Sequence, residues 1–265
     1  MHSPQHGIIA PLRDAEAIFA AGADYLEPTI VGNVIVQDAD GRWQPDLALR
    51  GCALCPSFAI LCPGELRLSD PEFPLEPVRD YLRIAFSAVS ALARPGATVV
   101  LGSGGARRLP EGVSLPEGRR QFARAVQVAR DVAAEHGLEV ILEPLQRGET
   151  NLINTLAEAV EFLDEFGMGE VRVVADLFHV MLEQESLEVV REHAGRVAHA
   201  HIADTDRRPP GQGDWPLAEF LQALRSGGYL GHVSIECTWA DIAGEAGPAL
   251  AAVRAADPLK VGSNV

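Results

Sequence analysis

Four side chains able to bind a metal stand at the ends of four short apolar runs in the second half of the chain: Glu143 after EVIL, Asp176 after VRVVA, His201 within VAHAHI and Glu236 after HVSI. Side chains on a strand alternate between its two faces. The count therefore places Glu139, Ile141 and Glu143 on one face, and likewise Val174 with Asp176, His199 with His201, and His232 and Ser234 with Glu236. If those faces converge, three carboxylates and one imidazole meet, and they cannot all be buried as charges without a compensating cation. An oxygen-rich set with one nitrogen suits a single divalent metal, Mn2+ first and Mg2+ or Co2+ as alternatives. Singly, each acid reads as a solvated loop carboxylate and each histidine as a hydrogen-bonded core residue; four on successive strand ends read as a metal centre. His199 and His201 compete for the imidazole role. His201 sits nearer the following loop and is the expected ligand, with His199 supporting it or filling a layer below.

The elements that must position these groups are β-rich runs alternating with long amphipathic stretches. Eight runs can be counted, at 7–10, 25–28, 53–60, 98–101, 139–142, 171–175, 197–202 and 232–235. This alternation is the pattern of βα units around a parallel sheet and predicts an α/β fold, one (β/α)8 barrel domain over residues 1–265. Phe122, Val126, Ala129 and Ala133 recur at helical spacing, and Gly137 stands where a glycine ends a helix. Residues 31–51 carry no such stripe, so the second helix is expected to be short, displaced or replaced by a loop. The Pro- and Gly-rich pieces CPGELRLSDPEFP, GSGGARRLPEG and DRRPPGQGD all follow strands, which puts them at the C-terminal face where barrels place their active sites.

Composition narrows the partners. With 22 Lys plus Arg against 37 Asp plus Glu, the formal charge of -15 repels phosphate backbones and anionic membranes, so neither nucleic acid nor a membrane is an expected partner. The N-terminal residues lack a basic stretch followed by an apolar one, and no segment has the roughly 18 apolar residues of a spanning helix; a soluble, cytoplasmic protein is expected. Cys52 and Cys55 form a C-x-x-C with Cys62 nearby and Cys237 distant, but no second pair or histidine stands at zinc-finger spacing, and free thiols are expected.

The segments LEPLQRGETNLINT, VVADLFHVMLEQES, HAHIADTDRRPPGQGD and GYLGHVSIECTW, with AGADYLEPTIVGNVI, CPGELRLSDP and VVLGSGGARRLPEG upstream, resemble the sugar phosphate isomerase/epimerase family with its xylose isomerase-like TIM barrel. Within it the chain is most similar to the ketose 3-epimerases, the D-tagatose and D-psicose 3-epimerase group. The resemblance implies that Glu143, Asp176, His201 and Glu236 are metal ligands and that Glu143 and Glu236 are also the catalytic acid/base pair. It implies further that Glu149, His179 and Arg207 contact a small-molecule sugar substrate. The loops CPSFAILCPGELRL and GSGGARRLPEG depart from that group where it meets the far end of the sugar. Homo-oligomers are common among such relatives.

The chemistry implied is proton transfer next to a carbonyl. A carboxylate cannot take that hydrogen in water unless the enediolate is stabilised, which a metal does as a Lewis acid. A metal-dependent lyase or hydrolase of 3-keto glycosides would use the same parts, as would an isomerase of the hydroxypyruvate type. A nuclease like the AP endonucleases needs more histidines than the eight present and a basic face. A non-catalytic sugar-binding barrel would require a lost ligand, and none is missing. Among weaker signals, GSGGARR offers either an anion nest with Arg107 or a plain tight loop. Glu27 and Ser57 end early strands, where a structural role is the safer expectation. Trp215 is expected to pack at a helix start, Cys237 to face the helices and Arg208 to lie on the surface.

Overall fold

The computed structural model describes residues 4–46 and 54–259; Cys52 and the first residue of the third run lie outside the described residues. Eight parallel strands form one sheet: β1 (His6–Ile9), β2 (Tyr25–Glu27), β5 (Cys55–Phe58), β6 (Ala93–Leu101), β7 (Glu139–Leu142), β8 (Val173–Asp176), β9 (Val197–Ile202) and β10 (Val233–Ile235). They run in the order β2-β1-β10-β9-β8-β7-β6-β5. A parallel bridge between Thr29 and Ala59 spans the remaining gap between β2 and β5, supported by the amide of Ile30 donating to the Ala59 carbonyl at 2.8 Å. The result is a nearly closed (β/α)8 barrel, with all eight runs present as strands.

Alternation along these strands is as counted. Val140 and Leu142, Val173 and Ala175, Ala200 and Ile202, and Val233 and Ile235 join the buried apolar layer between sheet and helices. Val100, Ile141 and Val174 form a separate apolar plug inside the barrel. The rest of the interior is polar: Glu27, Ser57, Thr98, His199, His201 and Ser234 are all buried.

Helices cover the outside: α1 (Ala15–Ala20), α2 (Leu75–Ser90), the short α3 (Gly104–Arg107), α4 (Leu115–Glu135), α5 (Leu156–Glu165), α6 (Leu177–Leu182), α7 (Leu187–His193), α8 (Leu217–Ser226) and α9 (Ile242–Ala256). The longest, α4, starts at a capping box between Ser114 and Glu117, and buries Phe122, Val126, Ala129 and Ala133. It ends at Gly137 with φ +68°, and the amide of Leu138 returns to the Ala133 carbonyl at 3.0 Å, the closure that a left-handed glycine permits. Among the described residues no helix is long and apolar enough to cross a membrane. Where a second helix would stand, the described residues form an antiparallel ribbon, β3 (Ile35–Gln37) with β4 (Trp43–Pro45). Trp43 packs edge-on against Tyr81 of α2 at 5.6 Å.

Candidate metal centre

Strand register brings the four expected ligands together. Asp176 and His201 are direct neighbours across β8 and β9, and His201 neighbours Ser234 across β9 and β10. Glu143 and Glu236 each stand one residue beyond a strand end and still continue the ladder: the amide of Glu143 donates to Leu101 at 3.2 Å and that of Glu236 to Ile202 at 2.9 Å. One donor atom from each of Glu143, Asp176, His201 and Glu236 lies within 4.8 Å of the others. His201 Nδ1 is 3.0 Å from Glu143 Oε1 and 3.3 Å from Glu236 Oε2. Asp176 caps α6 with Oδ1, which accepts from the Phe178 amide at 2.8 Å, and leaves Oδ2 free to point at the cluster.

The residues fit a divalent cation. Asp176 Oδ2, Glu236 Oε2 and His179 Nε2 are buried without a hydrogen-bond partner, so the site presents lone pairs and a donor that the protein itself does not satisfy. Electrostatics say the same. Burial pushes the carboxyls of Glu143 and Asp176 up from their ordinary values, Glu143 being eased by His201 and Asp176 by His179. Burial also opposes charge on Glu236, but the close approach and charge of His201, with Arg207, outweigh it and hold that carboxyl down at about 2. His201 is held well above its ordinary value by Glu27, Glu143 and Glu236 against its own burial.

The site floors a cavity of about 220 Å3, lined by Ala59, Ile60, Gly102, Ser103, Gly104, Leu145 and, of the expected residues, Glu143, Glu149, His179, His201, Arg207 and Glu236. Arg207 binds Glu236 Oε1 at 2.9 Å and Glu149 Oε1 at 3.2 Å, and its guanidinium stacks 4.5 Å from the Phe178 ring. His179 Nδ1 accepts from the Gln146 amide at 3.2 Å, which turns Nε2 toward the cavity, 3.4 Å from Asp176 Oδ2. Arg208 pairs with Asp206 at the surface.

Several weaker expectations resolve. Arg107 is fully buried, with its guanidinium 5.7 Å from the Phe122 ring and a bond to the Ile153 carbonyl; it does not line the cavity, and GSGGARR is neither an anion nest built on Arg107 nor a plain tight loop, since Gly104–Arg107 form α3 and Gly102, Ser103 and Gly104 border the cavity. Gly102 is needed for close approach, since a Cβ there would overlap Glu143 Oε2, and one at Gly104 would come 2.9 Å from the Glu149 carbonyl. Trp215 packs on Phe178 at 5.5 Å, behind Arg207, and Cys237 packs against the apolar layer. Cys62 and Cys237 are free thiols.

Two contributors, Phe178 and Asp204, were not singled out from the sequence, and a third, Glu27, was read there only as a strand-end residue. Phe178 forms the platform for Arg207. Asp204 organises the loop that carries Arg207, accepting from the amides of Thr205, Gly211 and Trp215. Glu27 lies beneath the centre rather than in the cavity and accepts from His201 Nε2 at 3.3 Å. Strand-end position, which did mark Glu27, could also have marked Asp204, two residues past β9, and Phe178, in the first turn of α6 just after β8.

The chain was compared with known proteins. It is 33% identical over 124 residues to the 3-dehydro-D-guloside 4-epimerase of Escherichia coli (strain K12), covering 46% of this chain and 47% of that protein. It is 36% identical over 118 residues to a D-psicose 3-epimerase of Enterocloster bolteae, covering 43% and 39%. The matched stretches thus span less than half the length of these relatives. The crystal structure of D-psicose 3-epimerase with D-tagatose from Clostridium cellulolyticum H10 superposes with a TM-score of 0.77 at 20% identity, over 97% of this chain and 99% of that one, a likeness of fold. The sequence profile described as a xylose isomerase-like TIM barrel matches residues 17–258, nearly the whole length, and the chain belongs to that family.

Proposed function

We propose that this chain is a divalent-metal-dependent epimerase of small sugars that inverts a carbon next to a carbonyl, with Glu143 and Glu236 as the acid/base pair. The observation that carries this is the meeting of Glu143, Asp176, His201 and Glu236 in one cluster, three of which, Glu143, His201 and Glu236, line a cavity with Arg207, Glu149 and His179. One carboxylate removes the C–H proton, and the electron pair of that bond becomes the C=C of an enediolate. The other carboxyl then delivers a proton to the opposite face, and the pair returns to a C–H bond. A divalent cation on the four ligands would supply the charge that stabilises the enediolate oxygens; Mn2+ is the first candidate for an O3N donor set.

The remaining residues bind and orient. Arg207, held flat on Phe178 and tied to Glu236 and Glu149, presents its free N–H edge to substrate oxygens and keeps Glu236 ionised. His179 offers Nε2–H from the first turn of α6, and Glu149 accepts from a hydroxyl.

The position of the carbonyl separates two substrate classes with the same chemistry. In a ketose, C3 lies next to the C2 carbonyl; in a 3-keto glycoside, C4 lies next to the C3 carbonyl. The similarity to a 3-dehydro-D-guloside 4-epimerase favours including the second class, on which elimination of the aglycone is the competing outcome. The test is a panel of ketoses and 3-keto glycosides with the Mn2+-loaded protein, products being read by NMR. Epimers at the carbon next to the carbonyl support the proposal; aldoses would make the chain an isomerase, and released aglycone a lyase.

A further inference from the structure

Glu27 is fully buried on β2, inside the barrel and below the metal centre. Four donors converge on its carboxylate. Oε1 accepts from Ser57 Oγ at 3.0 Å and from His201 Nε2 at 3.3 Å, while Oε2 accepts from His199 Nε2 at 2.7 Å and from Ser234 Oγ at 2.5 Å. The hydroxyls are aimed in turn, Thr98 donating to Ser57 at 2.9 Å and Tyr25 placed 2.8 Å from Ser234 Oγ. A carboxylate has about four lone-pair directions, and here all are filled. Glu27, His199 and His201 also lie close enough to hold a cation, but every lone pair of Glu27 is already engaged by a donor, which leaves none for a metal.

The consequence falls on His201. Its Nε2 must carry a hydrogen to donate to Glu27, so in the neutral ring the lone pair is on Nδ1, the atom that faces Glu143 and Glu236. A metal-binding imidazole whose other nitrogen donates to a carboxylate is fixed in tautomer and orientation.

We propose that Glu27 is the positioning residue of this centre: it holds His201 as the Nδ1 ligand and restricts the barrel to one cation, the lower triad being a hydrogen-bonded support. The inference rests on the metal reading of the site and needs no sugar, so it fails or stands separately from the epimerase assignment.

The test is Mn2+ binding by calorimetry to the full chain and to E27L and E27Q, with folding checked by circular dichroism. Wild type is expected to bind one Mn2+. E27L, apolar and without an acceptor, is expected to bind it about 10–100-fold more weakly, and E27Q, which is isosteric and restores an acceptor for His201, to regain most of that loss. A support role for stability alone would lower the melting temperature of both variants and leave the affinity of folded E27L within twofold of wild type, which would overturn the proposal, as would two Mn2+ bound to wild type. If E27L does not fold, 15N NMR of the histidines in Mg2+-loaded wild type and E27Q decides: Nδ1 on the metal with Nε2 protonated is expected, and Nε2 on the metal overturns it.

Discussion

Gly102 shows how tightly single residues constrain the centre. It has no side chain because the Glu143 carboxylate occupies the space of its Cβ, and Glu143 is proposed both as a ligand and as half of the acid/base pair. The Gly102→Ala variant is expected to fold, since the loop lies outside the packed layer, and to lose about 100-fold in turnover through displacement of Glu143; a melting curve and a kcat measurement separate the two effects. The same scale explains what the sequence revealed. Glu143, Asp176, His201 and Glu236 were readable because each obeys a period of two along its own strand. Glu27 was not, because its partners Ser57, His199, His201 and Ser234 come from three other strands and become neighbours only when the barrel closes. Phe178 was hidden in the same way, as an ordinary apolar residue until Arg207 stacks on it.

Among the elements, the loop between β7 and α5 carries Glu149 and depends on the helix that follows it. Thr155 caps α5 by accepting from the Glu158 amide at 3.2 Å, and the Glu158 carboxylate in turn accepts from the Asn154 amide at 2.6 Å. Asn154 braces the loop through the carbonyls of Leu145 and Thr150. Thr155→Ala is expected to cost about 1 kcal/mol of stability, with a rise in KM exceeding any change in kcat because Glu149 is proposed to contact substrate away from the reacting carbon. Denaturant titration and steady-state kinetics check this. Strands β7 to β10 were legible as short apolar runs, and α4 as a stripe with both ends marked. β6 starts five residues earlier than its apolar run, because Ala93 and its neighbours are held by pairing with β5 and not by their own hydrophobicity. The β3–β4 ribbon was not foreseen, since its stability comes from packing Trp43 on α2 and not from a periodic pattern.

At the scale of the molecule, two ends of the chain meet beneath the barrel. Asp257 binds His6 Nε2 at 3.0 Å and Arg225 Nη2 at 2.7 Å, and these two partners hold its carboxyl far below the ordinary range against its burial. Asp257→Asn leaves the buried Arg225 without its counter-charge and is expected to cost about 3–5 kcal/mol, visible as a large fall in melting temperature with the metal affinity of the surviving fold unchanged. Nearby, burial and the charges of His199 and Arg94 push His232 down to about 4. The folded chain then binds fewer protons than the unfolded one between about pH 6.5 and 4, so this contribution is intact above pH 6.5 and is lost as pH falls through 4. Melting temperatures across that window are expected to fall less steeply in His232→Gln than in wild type. The central claim concerns the opposite mouth, where Glu143 and Glu236 are proposed to exchange a proton with a sugar carbon. The most direct test is to incubate the Mn2+-loaded protein in D2O with ketoses and 3-keto glycosides and to follow each carbon by NMR. One deuterium at the inverted carbon next to the carbonyl, lost in both Glu143→Gln and Glu236→Gln, is the predicted result; no exchange at any such carbon while Mn2+ stays bound would contradict it.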